Sequence, residues 1–175
     1  RLSVDWDQIL ELARRERVTP LLHHLFAQVP SVSDPSLKFL QAVSRDYYEN
    51  AGRSLLLSVG LGEVLEVFQA EGIEALVLKG MALAEPVYGN PALRPMDDID
   101  LLVRRQDVLR ARGALVGLGY EAPDFDKDFT RRSATLFSPP GDARSARPAL
   151  DLHWDLVDDR YGPAAARWAE GVWKR

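Results

Sequence analysis

The chain has 175 residues, no cysteine, 46% hydrophobic residues and a formal charge of −4 with a pI near 5.4. That length holds one good domain, or a small domain with a helical appendage, without covalent staples. The missing cysteines exclude disulfides, thiolate metal sites and cysteine nucleophiles and fit a reducing, cytoplasmic setting, while the net acidity argues against a protein that coats nucleic acid.

No apolar run nears the roughly 20 residues of a membrane span, and the opening RLSVDWDQIL lacks the basic-then-apolar layout of a signal peptide. The chain starts at Arg1 and stops at WAEGVWKR, within an amphipathic pattern, so a piece of a longer protein is expected. From the N-terminus, Trp6, Ile9, Leu10 and Ala13 recur at helical spacing and predict a first helix over 5–17. Pro20 opens a second short helix and Pro30 closes it. His23 and His24 are adjacent, about 100° apart on a helix, and so are read as packing or surface groups rather than as ligands of one metal.

Asp34 before Pro35 reads as a cap, and the apolar pattern then runs to about Gln69 as one long helix or two in line. Gly52, Gly60 and Gly62 each cost about 1 kcal/mol against Ala in a helix interior, which places an expected break near 60. At Gly72 the texture changes. EALVLKG reads as a short buried strand, MALAEPVYG as a short helix that Pro86 should kink or shorten, and NPALRP as a loop. RPMDDIDLLV follows as a strand, then a helix over 106–117. SATLFS and ALDLHWDLV flank the turn-rich SPPGDARSARP as an antiparallel hairpin. Two arginine clusters, Arg104, Arg105, Arg110 and Arg112, and Arg131, Arg132, Arg144 and Arg147, are read as solvated faces.

The chemistry concentrates in the acids. Alternation along a strand puts Asp98, Asp100 and Leu102 on one face and Ile99, Leu101 and Val103 on the other, which is taken as the core face. Two residues apart, the aspartates have Cα atoms about 6.6 Å apart, close enough to share a cation. In ALDLHWDLV the same alternation groups Asp151, His153 and Asp155, so a neighbouring strand offers a third carboxylate. Like charges about 4 Å apart repel by about 4 kcal/mol at an effective dielectric near 20, so something must offset them. Mg²⁺ does so with hard oxygen ligands, and two such ions suit phosphoryl or nucleotidyl transfer. Asp97, on the other face, is read as a cap or turn residue.

LVLKGMALAE reads as strand, Lys-Gly, helix. The helix N-terminus, the open backbone at Gly80 and the charge of Lys79 together suggest a triphosphate cradle. Arg94 either contacts a phosphate or pairs with a carboxylate. Taken together, LKGMAL (78–83), Tyr88, Arg94, DIDLLV (98–103) and DLHW (151–154) resemble the nucleotidyltransferase superfamily with the DNA polymerase β type of fold. More narrowly they resemble its bacterial branch of uncharacterised nucleotidyltransferases, and WDQILELARRERVTPLLHHL is similar to the helical lead-in of that branch.

The resemblance implies an α+β fold: a helical region over 1–70, a small mixed sheet flanked by helices over 71–160, and the start of a further helical region over 161–175. It also implies that Asp98 and Asp100 bind two catalytic ions, Mg²⁺ or Mn²⁺, and that Asp151 is the third acid, with a possible role as base. An NTP would sit at the Lys79-Gly80 turn, and the acceptor would be a hydroxyl or amine. The familiar members carry Gly-Ser at that turn, so phosphate handling here differs. His153 would orient Asp151, bind the acceptor, or do neither. A non-catalytic module of the same fold and an RNA-modifying toxin are the competing readings; the toxin would want a more basic surface than a charge of −4.

Overall fold

The computed structural model describes residues 4–28, 35–122, 133–139, 147–156 and 171–173. The expected cap at Asp34, the arginines 131, 132 and 144, and the hairpin loop over 140–146 lie outside the described residues, as does most of the expected helical region over 161–175. Two compact units divide the chain, Arg1–Leu55 with Gly80–Asp97, and Leu56–Lys79 with Asp98–Arg175. None of the described helices is long and apolar enough to cross a membrane.

In the first unit Asp5 accepts a bond from the Gln8 amide and so caps helix α1 (Trp6–Arg15), satisfying one of the orphan donors of its first turn. Helix α2 (Thr19–Gln28) follows, and α3 (Leu37–Ala70) begins in this unit. Leu10, Phe39 and Val43 form the buried centre. The Trp6 ring lies 5.0 Å from that of Phe39 and 6.0 Å from that of Phe26, within the range of favourable aromatic pairs. His23 stacks on Tyr47 at 4.5 Å, a packing role.

Helix α4 spans Lys79–Tyr88 and carries Pro86 inside it. It runs two residues past the proline, where Gly89, at φ +66°, takes the left-handed conformation and donates to the Glu85 carbonyl. Pro86 therefore neither ends nor visibly shortens the helix. Beyond Gly89, Asn50 donates to the Ala92 carbonyl and Ser54 to that of Pro91, which ties the loop before the aspartates to α3.

The second unit holds a four-stranded mixed sheet in the order β1-β2-β4-β3, with β1 Ala75–Val77, β2 Asp98–Val103, β3 Ala134–Phe137 and β4 Ala149–His153. β2 runs antiparallel to β1 and parallel to β4, while β3 and β4 form the expected antiparallel pair. Ile99, Leu101, Val103, Leu150 and Leu152 are fully buried. Helix α5 (Val108–Gly117) buries Val108, Ala111 and Leu115, one stripe at helical spacing. Of the first arginine cluster, Arg104 pairs with Glu74 at 2.7 Å and Arg110 with Asp107 at 2.9 Å.

β2 departs from the simple two-faced reading, because Leu102, on the aspartate face, is only 1% exposed. Both faces of the strand are covered, and the acids sit on a partly closed surface rather than an open one. The expected break in α3 is likewise absent, since the helix is continuous through all three glycines. At Gly60 the reason is contact: a Cβ there would stand 2.7 Å from Cδ and 2.9 Å from Cγ of Pro148, whereas Gly52 and Gly62 have nothing within 4 Å. Gly62→Ala is therefore expected to raise stability by about 1 kcal/mol through helix propensity. Gly60→Ala is expected to lower it, because overpacking by about 1–3 kcal/mol outweighs the same gain. Urea midpoints of the two variants check the opposite signs.

Candidate active site

The register of β2 against β4 decides the geometry. Asp100 pairs directly with Asp151, Asp98 with Ala149 and Leu102 with His153, so all these side chains leave the same face of the sheet. β1 adds a fourth group: the Leu78 amide donates to the Asp100 carbonyl at 2.9 Å, and the chain turns into α4 at the next residue. Lys79 takes φ +45° there, a left-handed conformation that costs a non-glycine residue roughly 1–2 kcal/mol. Its side chain turns to the acids, and Nζ donates to Asp100 Oδ1 at 2.7 Å.

His153 completes the cluster. Its Nε2 lies 3.0 Å from Asp151 Oδ2, 3.1 Å from Asp100 Oδ1 and 3.3 Å from Lys79 Nζ. Two carboxylate oxygens against one ammonium favour a proton on Nε2, shared between the acids. Burial opposes charge on the imidazole, yet the bond and charge of Asp151 and the bond to Asp100 together hold its pKa above the ordinary value, with Lys79 acting against them. The hydrogen bond from His153 draws the Asp151 carboxyl below its usual range despite burial, and the His153 and Lys79 charges add to this. Lys79 is pushed up, first by its bond to Asp100, against burial, and then by the charges of Asp100, Asp151 and Asp98.

The counter-charge that the packed acids require thus comes here from Lys79 and His153. The arrangement also meets the requirements of a divalent ion. Asp100, Asp151 and His153 each bring one ligand atom into a group no more than 4.8 Å across, and Asp98 stands on the same strand face. Carboxylate oxygens are the ligands that Mg²⁺ and Mn²⁺ prefer, so the aspartates suit either ion, while His153, with its proton on Nε2, supports the carboxylates.

Of the residues singled out in the sequence, Lys79, Asp98, Asp100, Asp151 and His153 belong to the second unit, and Gly80 and Arg94 to the first. Gly80 has no left-handed backbone; a Cβ there would meet Met96 Sδ at 3.0 Å, so the glycine answers to close packing. The Arg94 guanidinium contacts Tyr88, its Nη1 donating to the phenol oxygen at 3.4 Å. Arg94 Nε is buried with no hydrogen-bond partner among the described residues.

Asp97 is not a cap. Arg53 donates to its Oδ1 at 3.1 Å and Arg17 approaches Oδ2 at 2.7 Å, in an open polar cleft of about 230 Å³ within the first unit. Asp155, on the acid face by alternation, lies past the end of β4, where its Oδ1 accepts from the Leu156 amide at 2.9 Å.

A family model described as "Uncharacterised nucleotidyltransferase" matches residues 3–175. No curated protein and no solved structure matches the chain.

Proposed function

Since the chain belongs to the uncharacterised nucleotidyltransferase family, we propose that it moves a nucleoside monophosphate from an NTP to an acceptor hydroxyl or amine in a reaction dependent on Mg²⁺ or Mn²⁺. The observation that carries this reading is the pairing of Asp100 with Asp151 in parallel register, with Asp98 on the same face. Three carboxylates there exceed what a sheet surface needs for stability, and Lys79 and His153 offset two of the three charges, which leaves the cluster able to attract a further cation.

Asp98, Asp100 and Asp151 would hold the ions, which when bound polarise the phosphoryl oxygens and neutralise the leaving pyrophosphate. Asp151, kept ionised by the His153 bond, is held in the form that ligates a cation; its assignment as acceptor of the hydroxyl proton rests on its place beside Asp100, since the same bond lowers its basicity. His153 orients that carboxylate. Lys79 supplies a positive charge for the triphosphate, and Gly80 and Arg94, whose buried Nε has no partner among the described residues, are assigned to the nucleotide as well.

One observation favours a second reading, a binding module that has lost catalysis: Lys79 already neutralises Asp100 at 2.7 Å. The two readings separate in one assay. Incubation with each NTP labelled at the α-phosphate, with Mg²⁺ or Mn²⁺, against small hydroxyl and amine compounds, protein and RNA acceptors, is expected to give metal-dependent label transfer that EDTA stops. Nucleotide binding without transfer to any acceptor, in either metal, would instead support the binding module.

A further inference from the structure

We propose that Lys79 is a displaceable internal counter-cation, which guards the metal site and releases it as nucleotide arrives. The inference rests on the nucleotidyltransferase reading and adds an order of events to it. Lys79 Nζ and a divalent ion seek the same lone pairs, because Asp100 Oδ1 already accepts from Lys79 at 2.7 Å and lies 3.1 Å from His153 Nε2. A cation at Asp100 therefore has to replace the ammonium or tolerate it at contact distance.

The two partners differ in freedom. The Asp100 side chain is 9% exposed and sits in the middle of β2, whereas the Lys79 side chain is 57% exposed on a flexible four-carbon stem. The aspartate is the fixed member, and the lysine is the one that moves. Its left-handed backbone at φ +45° points the same way, since a residue that only opened a helix would not need that conformation, and the glycine able to adopt it freely stands one position later.

A triphosphate offers the ammonium a second anion, so each molecule of nucleotide that draws Lys79 away exposes Asp100 to metal. Lys79 then weakens metal binding to the nucleotide-free protein and strengthens nucleotide binding. Removing its charge should move the two affinities in opposite directions. A merely structural lysine would shift both together or neither. No covalent bond is made or broken in this step; Lys79 exchanges its hydrogen bond to Asp100 for one to the triphosphate.

The test titrates the whole chain and its Lys79→Met and Lys79→Gln variants with Mn²⁺ alone, followed by the electron paramagnetic resonance of the free ion. A separate titration uses a fluorescent ATP or GTP derivative in EDTA. Both variants are expected to bind Mn²⁺ about 10-fold tighter than the parent and the nucleotide about 10-fold more weakly. Asp151→Asn in the same background should weaken Mn²⁺ binding, which locates the ion. Unchanged or weaker Mn²⁺ binding in both Lys79 variants, or unchanged nucleotide binding, overturns the proposal while the parent's own Mn²⁺ binding keeps the enzyme reading standing. Failure of parent and variants alike to bind Mn²⁺ at millimolar concentration, with nucleotide as well as without it, overturns both.

Discussion

Asp100→Asn is expected to lower nucleotidyl transfer by about 10³-fold, and Asp98→Asn by a comparable factor, the upper range for removing one preorganised charge from a transition state. That factor corresponds to about 4 kcal/mol of barrier. The expected effect on folding is far smaller. Asn keeps the size of Asp100, and the partner it abandons, Lys79, is 57% exposed and readily solvated, so the lost ion pair is worth about 1 kcal/mol or less after screening. His153 retains Asp151 at 3.0 Å. The rate of label transfer and the urea midpoint, measured on the same preparations, separate the two effects. Wild-type transfer rates in both variants would remove these carboxylates from the reaction.

Much of the scaffold could be read from spacing alone, because its signals are local. The stripe of Trp6, Ile9, Leu10 and Ala13 needed only a helical period, and the alternation in DIDLLV and ALDLH needed only a strand. The candidate site was legible as far as alternation reaches: it could say that Asp98 and Asp100 share a face, and that Asp151 and His153 share another. What brings those faces together is the parallel register of β2 with β4, a contact across some fifty residues that no local pattern encodes.

The pairing of Lys79 with Asp100 was hidden for the same reason. It follows from the antiparallel register in which Val77 faces Leu101, so that Leu78 meets Asp100 and the next residue turns over the acids. Gly60 looked like a weak point, and the packing reason for Gly80 went unseen, because glycine declares freedom without declaring cause. Each is set against a side chain, Pro148 and Met96 respectively, that lies far along the sequence. Pro86 does not end α4, which runs two residues beyond it.

Ile99→Ala should reverse the phenotype of its neighbours. Ile99 stands between Asp98 and Asp100 but leaves the opposite face of β2; it is 0% exposed, and its Cδ1 lies 3.7 Å from where a Cβ on Gly60 would be. Truncation removes three buried carbons and leaves a cavity between strand and helix that neither the continuous α3 nor the paired Leu150 can readily fill. The expected loss is about 2–5 kcal/mol, a large part of the roughly 5–15 kcal/mol that holds an ordinary domain. It should appear as a lower urea midpoint with an unchanged slope. The carboxylates themselves are untouched. At temperatures where the variant is folded, transfer should stay within about 10-fold of the parent, since a small shift of β2 is felt at the site but removes no charge from it. Two side chains one residue apart would then fail in opposite ways, one in chemistry and one in folding. If Ile99→Ala instead lost transfer as severely as Asp100→Asn while keeping its urea midpoint, the division of β2 into a packing face and a chemical face would be wrong.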